Sequence, residues 1–145
     1  MPRPYLLDLN VLVALTDDEH KHYGRAQTWF QSVRHEEWGT CPLTEAGYIR
    51  LVANPVTGFP EGGLKRAIDV LSVVTNHPSH RFWPMTESWT TLTAPFADRI
   101  FGHQQVTDAY LLGLAIKENG VLVTFDRALK YLAGPQFSRN LLVLE

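Results

Sequence analysis

QVTDAYLLGLAIKENGVLVTFD, residues 105–126, is the stretch whose reading decides the fold. From about Gln105 to Glu118 it reads as a long helix, with Asp108, Leu112 and Ala115 sharing one face. Asn119-Gly120 is the signature of a left-handed helix end. Val121 to Phe125 then forms an unbroken apolar strand, closed by Asp126. A strand apolar on both faces belongs inside a parallel sheet covered by helices on each side.

The same alternation runs outward in both directions. Tyr5-Leu6-Leu7 is a short buried strand that meets Asp8 at once, and residues 10–17 continue as helix through Val11, Leu12, Ala14 and Leu15. The Asp8 and Asn10 side chains are placed to serve the orphan N–H groups of that helix start. A polar turn over 17–22 leads to a helix from about Tyr23 to Glu36, with Ala26, Trp29, Phe30 and Val33 on its buried face. Residues 38–41 are a strand ended by Pro42, and Thr44 to Ala53 a helix. Residues 54–63 form a loop, and Leu64 to Asn76 an amphipathic helix. His80 to Pro84 reads as a strand, Ser88 to Phe96 as a short helix, and Leu141 to Leu144 as the last strand after the Gly134-Pro135 break. The expectation is an α/β three-layer sandwich, a mostly parallel sheet flanked by helices, spanning residues 1–145 as one domain. Right-handed crossovers bring the strand C-termini to one edge, where such folds bind ligands.

Composition agrees. The chain has 145 residues, 45% of them hydrophobic, which excludes the disordered class. Thirteen Lys and Arg face fifteen Asp and Glu, so no basic coat advertises a nucleic-acid partner. Cys41 stands alone, which excludes an internal disulfide and a Cys-based zinc site. With no signal sequence and no apolar run of membrane length, the expected place is the cytoplasm.

Two strands end in an aspartate at the ligand-binding edge, Asp8 and Asp126. Two more acids stand near helix N-termini among apolar neighbours. Glu45 follows Pro42-Leu43-Thr44 and shares a face with Ile49 and Val52; Asp108 heads the long helix. Any one of them alone is a helix cap or dipole complement. Four converging on one edge repel each other unless a cation neutralises them. Oxygen ligands without cysteine suit Mg²⁺ or Mn²⁺, and two such ions stabilise the attacking and leaving oxygens of a phosphodiester displacement.

These motifs resemble the PIN-domain family and, within it, the VapC-type ribonuclease toxins of bacterial toxin–antitoxin pairs. The resemblance rests on Leu7-Asp8-Leu9-Asn10-Val11-Leu12, on Thr44-Glu45-Ala46-Gly47-Tyr48-Ile49-Arg50, on Gln105-Val106-Thr107-Asp108-Ala109-Tyr110-Leu111 and on Thr124-Phe125-Asp126-Arg127. It covers nearly the whole chain in the family's order. It implies a metal-dependent endoribonuclease held inactive by a cognate VapB-type antitoxin, working as a homodimer and leaving a 5′-phosphate. Asp8, Glu45, Asp108 and Asp126 would hold Mg²⁺ or Mn²⁺, with Asn10 and Thr124 in support. Asp126 is the most variable of the four in the family.

Arg50, Arg127 and His103 are candidates for contact with RNA, weighed against surface or capping roles. His20 and His22 lack the further spaced ligands of a zinc site and read as a surface turn. Trp29 belongs to the core, whereas Trp83 and Trp89 suit either core or interface. Two alternatives stand beside this reading. One is a catalytically silent PIN fold that only binds RNA or protein. The other is a Mg²⁺-dependent phosphatase using Asp8 as nucleophile, although Asp8-Leu9-Asn10 lacks the D-x-D pattern of the haloacid-dehalogenase type.

Overall fold

The computed structural model describes residues 3–58 and 63–145. The expected loop over 54–63 falls partly outside these residues. Five strands form one sheet: β1 (Tyr5–Leu7), β2 (Trp38–Thr40), β3 (His80–Phe82), β4 (Val121–Thr124) and β5 (Leu141–Val143). The order is β3-β2-β1-β4-β5, and every pairing is parallel. The helices are α1 (Leu9–Thr16), α2 (Tyr23–Val33), α3 (Pro42–Ala53), α4 (Gly63–Thr75), α5 (Trp89–Thr93), α6 (Val106–Lys117) and α7 (Ala128–Ala133).

The central strands β1, β2 and β4 are buried on both faces, as their apolar sequence requires, whereas the edge strands β3 and β5 are partly exposed. Successive side chains of a strand point to opposite faces. Leu6 and Leu122 pack with Leu92, Leu111, Leu112 and Leu129 from α5, α6 and α7. Leu7 and Val123 pack on the other face with Val11 and Trp29 from α1 and α2. A smaller cluster of Leu12, Tyr48, Val52 and Ala67 joins α1, α3 and α4. Fully burying a leucine contributes about 2 kcal/mol, so these two faces carry much of the stability. Trp29 and Cys41 are buried as expected, Trp83 joins the core, and Trp89 is half-buried beside it.

The long helix ends as its sequence predicts. Asn119 is left-handed at φ 52°, its N–H donates to the Ile116 carbonyl at 3.1 Å, and that of Gly120 donates to Ala115 at 2.8 Å. Both bonds of a Schellman motif are present, with Asn in the left-handed position. Gly113 lets α6 approach α5: a Cβ there would lie 2.6 Å from the Leu92 carbonyl oxygen. Some boundaries differ from the sequence reading. Helix α3 begins at Pro42, because proline suits the first helical position, where its missing N–H is no loss. The helix expected over 88–96 stops at Thr93 and tightens into a 3₁₀ segment over Ala94–Arg99, with Pro95 near its start. Among the described residues no helix is long and apolar enough to cross a membrane.

The chain lays β2 and β3 on one side of β1, then returns to place β4 on the other. The strand order therefore reverses between β1 and β4. In open α/β sheets this crevice is where ligands sit, and Asp8, Thr124 and Asp126 follow or end these two strands.

Candidate metal centre

Register builds the centre. Leu7 is paired with Val123, and the Asp8 N–H donates to the Val123 carbonyl at 2.9 Å, so Asp8 comes level with Thr124. Asp8 is the N-cap residue of α1 and is buried. Its Oδ1 accepts from the Leu9 N–H at 2.7 Å, and its Oδ2 accepts from the Thr124 hydroxyl at 2.7 Å. The Thr124 Oγ1 in turn accepts from Asn10 Nδ2 at 3.2 Å and from the Asp126 N–H at 3.1 Å. That uses the one donor and both lone pairs of the hydroxyl.

Asn10 does not cap α1 as its position predicted. Its Oδ1 accepts from the Phe125 N–H at 3.2 Å, so the side chain spans from α1 to the end of β4. Asp126 is exposed, and its Oδ1 accepts from the Ala128 N–H at 2.9 Å at the start of α7. Asp108 is half-buried in the first turn of α6, on the helical layer that covers Leu6 and Leu122. Asp8 lies under the charge of Asp126, and Asp108 under the charges of both. Burial, then the charges of Asp8 and Asp126, push the Asp108 carboxyl from 3.8 up to about 7. Burial also raises Asp8, against the bonds from Thr124 and Leu9, and the charge of Asp126 raises it further. The ion pairs described engage other carboxylates: Glu37, Asp69, Glu87, Glu118 and Glu145.

Glu45 stands differently. It is half-buried in the first turn of α3, and its Oε2 accepts from the Thr40 hydroxyl at 2.6 Å. The charges acting on Asp108 are those of Asp8 and Asp126. Among the described residues no three His, Cys, Asp or Glu side chains lie close enough to grip one ion as they stand. The donor chemistry nonetheless fits a hard divalent cation. The side chains are carboxylates, Asp8 and Asp108 are both raised by burial and by neighbouring carboxylate charge, and such repulsion is what a cation relieves.

The candidate RNA contacts are dispersed. Arg50 is exposed in the last turn of α3. Arg127 is exposed, with its Nε 3.9 Å from Glu145 Oε1. His103 is exposed in the 3₁₀ turn His103–Gln105 before α6, where Gln105 accepts from the Phe101 N–H at 2.6 Å. The His20-Lys21-His22 turn reaches the end of β4, with the His22 ring stacked on Phe125 at 4.5 Å. Thr40 and His80 were not singled out in the sequence. The one signal was a polar residue closing β2 on the edge that holds the acids.

The PIN-domain family model matches residues 5–135. Ribonuclease VapC39 of Mycobacterium tuberculosis is 40% identical over 124 residues, covering 86% of this chain and 89% of the relative. Ribonuclease VapC38 of the same organism is 41% identical over 128 residues, covering 88% and 89%. The crystal structure of VapBC2 from Rickettsia felis bound to a DNA fragment from their promoter superposes with a TM-score of 0.67. It covers 98% of this chain and 99% of that one at 15% identity, which bears on the fold. Matched over most of its length by the family model and about 40% identical to these relatives, the chain belongs to the PIN-domain family and, within it, to the VapC ribonucleases.

Proposed function

We propose that this chain is the endoribonuclease toxin of a VapBC-type toxin–antitoxin pair, and that it cuts RNA with Mg²⁺ or Mn²⁺ held by Asp8, Glu45, Asp108 and Asp126. The observation that carries the reading is the carboxyl of Asp108, which burial first, and then the charges of Asp8 and Asp126, push up to about 7. A single domain covering residues 1–145 is sufficient for the reaction in this reading.

When bound, the ion supplies Lewis acidity and neutralises charge at the scissile phosphate. The chain's own residues supply the rest. Thr124 and the Leu9 N–H fix both oxygens of Asp8. Asn10 and the Asp126 N–H hold the Thr124 hydroxyl in its orientation. Asp108, titrating near 7, gives up its proton as the centre loads. Divalent cations held by Asp8, Glu45, Asp108 and Asp126 would offset the acids at the centre, so the net charge of -2 would no longer oppose an RNA partner.

The antitoxin and a second copy of the chain complete the reading. Leu64, Ile68 and Val73 of α4 are exposed, and a cavity of about 210 Å³ lies between Leu12, Leu15, Phe30, Trp38 and Val74. Such apolar exposure supports a protein partner, and a basic side chain of that partner would plug the acidic crevice. Exposed Phe82, Met85 and Val106 support a homodimer. The cytoplasm is the compartment where such a toxin meets its RNA. Purified chain, freed of any partner, is expected to cut RNA with Mg²⁺ or Mn²⁺, to stop in EDTA, and to be inactive as Asp8→Asn or Asp108→Asn. RNA binding without cleavage across a broad substrate panel would leave a silent binding module instead. Cleavage ends mapped across the transcriptome after brief expression would identify the target.

A further inference from the structure

We propose that His80 is a positioning residue for Glu45, acting through the Thr40 hydroxyl. The inference rests on the reading of Glu45 as a metal ligand and extends it to two residues outside the acid motifs. The His80 Nε2 lies 2.8 Å from Thr40 Oγ1, and the same oxygen lies 2.6 Å from Glu45 Oε2. A hydroxyl has one hydrogen and a carboxylate only accepts. Thr40 therefore donates to Glu45, and His80 donates to Thr40 from Nε2–H. The direction of the whole chain of bonds is set by the charge at its end.

The sheet builds this contact. Trp38 pairs with His80 and Thr40 with Phe82 in parallel register, so Thr40 and His80 are diagonal neighbours on one face. The Trp38 ring stands edge-on to His80 at 5.5 Å and steadies the imidazole. Thr40 is fully buried. Burial holds His80 below its ordinary range, against the pull of Glu45, so the ring is neutral at pH 8 and carries a single N–H. Asp8 has two donors of its own. For Glu45 the described donor is Thr40, and His80 decides which way that hydroxyl points. Removing the imidazole frees the hydroxyl to turn and the glutamate to swing.

The test is Mn²⁺ binding to the partner-free chain by calorimetry at pH 8, with thermal melts to confirm folding. Thr40→Val and His80→Leu are each expected to weaken binding about tenfold, as loss of a ligand-orienting partner does, and the double variant no further than either alone. His80→Gln and Thr40→Ser keep the donor and are expected to stay within about twofold of the parent. In the unsubstituted chain, imidazole ¹⁵N shifts are expected to place the His80 proton on Nε2, a readout that needs no variant. A proton on Nδ1, or parental affinity in His80→Leu while Glu45→Gln binds weakly, overturns the relay alone. Parental affinity in Glu45→Gln overturns the ligand reading and the relay with it.

Discussion

Replacing Asp108 by asparagine is expected to stabilise the metal-free protein while abolishing cleavage. The carboxyl is pushed from 3.8 to about 7 by burial and by Asp8 and Asp126, so the fold binds this proton more tightly than the unfolded chain does. Stability must therefore fall as pH rises between those two values, and by pH 8 the full cost is present. At 1.36 kcal/mol per pH unit the shift corresponds to about 4 kcal/mol. Asp108 is only half-buried, and solvent screening reduces the expected effect to about 2 kcal/mol. Asparagine keeps the shape and drops the charge. For a chain of this size the gain is a rise in melting temperature of about 5 °C at pH 8 in EDTA. Near pH 4 the parent carboxyl is protonated in the fold, and the two proteins should melt within about 1 °C of each other. Paired calorimetric melts at pH 4 and pH 8 decide the matter. An asparagine variant no more stable than the parent at pH 8, or equally favoured at both pH values, would refute the picture of a partly buried Asp108 held under the charges of Asp8 and Asp126.

Other outcomes follow from the same geometry. Thr124→Val removes the hydroxyl on which Asp8, Asn10 and Asp126 converge and should cost about 2–3 kcal/mol in urea unfolding, whereas Thr124→Ser should stay within about 1 kcal/mol. Mg²⁺ binding at pH 6 should release about one proton, and almost none at pH 8, as read by calorimetry in buffers of different ionisation enthalpy. Gly113→Ala should destabilise by about 1–3 kcal/mol, because the new methyl meets the Leu92 carbonyl, and a shifted urea midpoint with unchanged slope would show it.

Much of the architecture was legible because its strands are short apolar blocks and its helices carry a buried stripe. Tyr5-Leu6-Leu7 and Val121 to Phe125 could be read as two-sided strands, the second one residue longer than the β4 that forms, and their parallel register then delivers Asp8 beside Thr124. Helix ends were less legible where backbone chemistry overrules pattern. Pro42 opens α3 two residues early, and the residues after Thr93 tighten into a 3₁₀ segment. The electrostatic group of Asp8, Asp108 and Asp126 followed from strand ends and helix faces. The tie of Glu45 to Thr40 and His80 did not, because it depends on a diagonal contact between strands forty residues apart. Asn10 shows the same limit: its place before a helix predicts a cap, yet the nearer unsatisfied N–H in the folded chain is that of Phe125.

The saturated hydroxyl of Thr124 also restricts which sequences this centre can accept. With one hydrogen directed to Asp8 and both lone pairs occupied, position 124 admits serine but neither valine nor cysteine without leaving a buried polar atom unmatched. Position 10 must offer a donor to that oxygen and an acceptor to the Phe125 N–H at the same time. Asparagine does both; aspartate would set oxygen against oxygen and add a further negative charge beside Asp8. Substitution at either position is thus constrained by its partner between α1 and β4, and drift between related chains should proceed there in matched pairs or not at all.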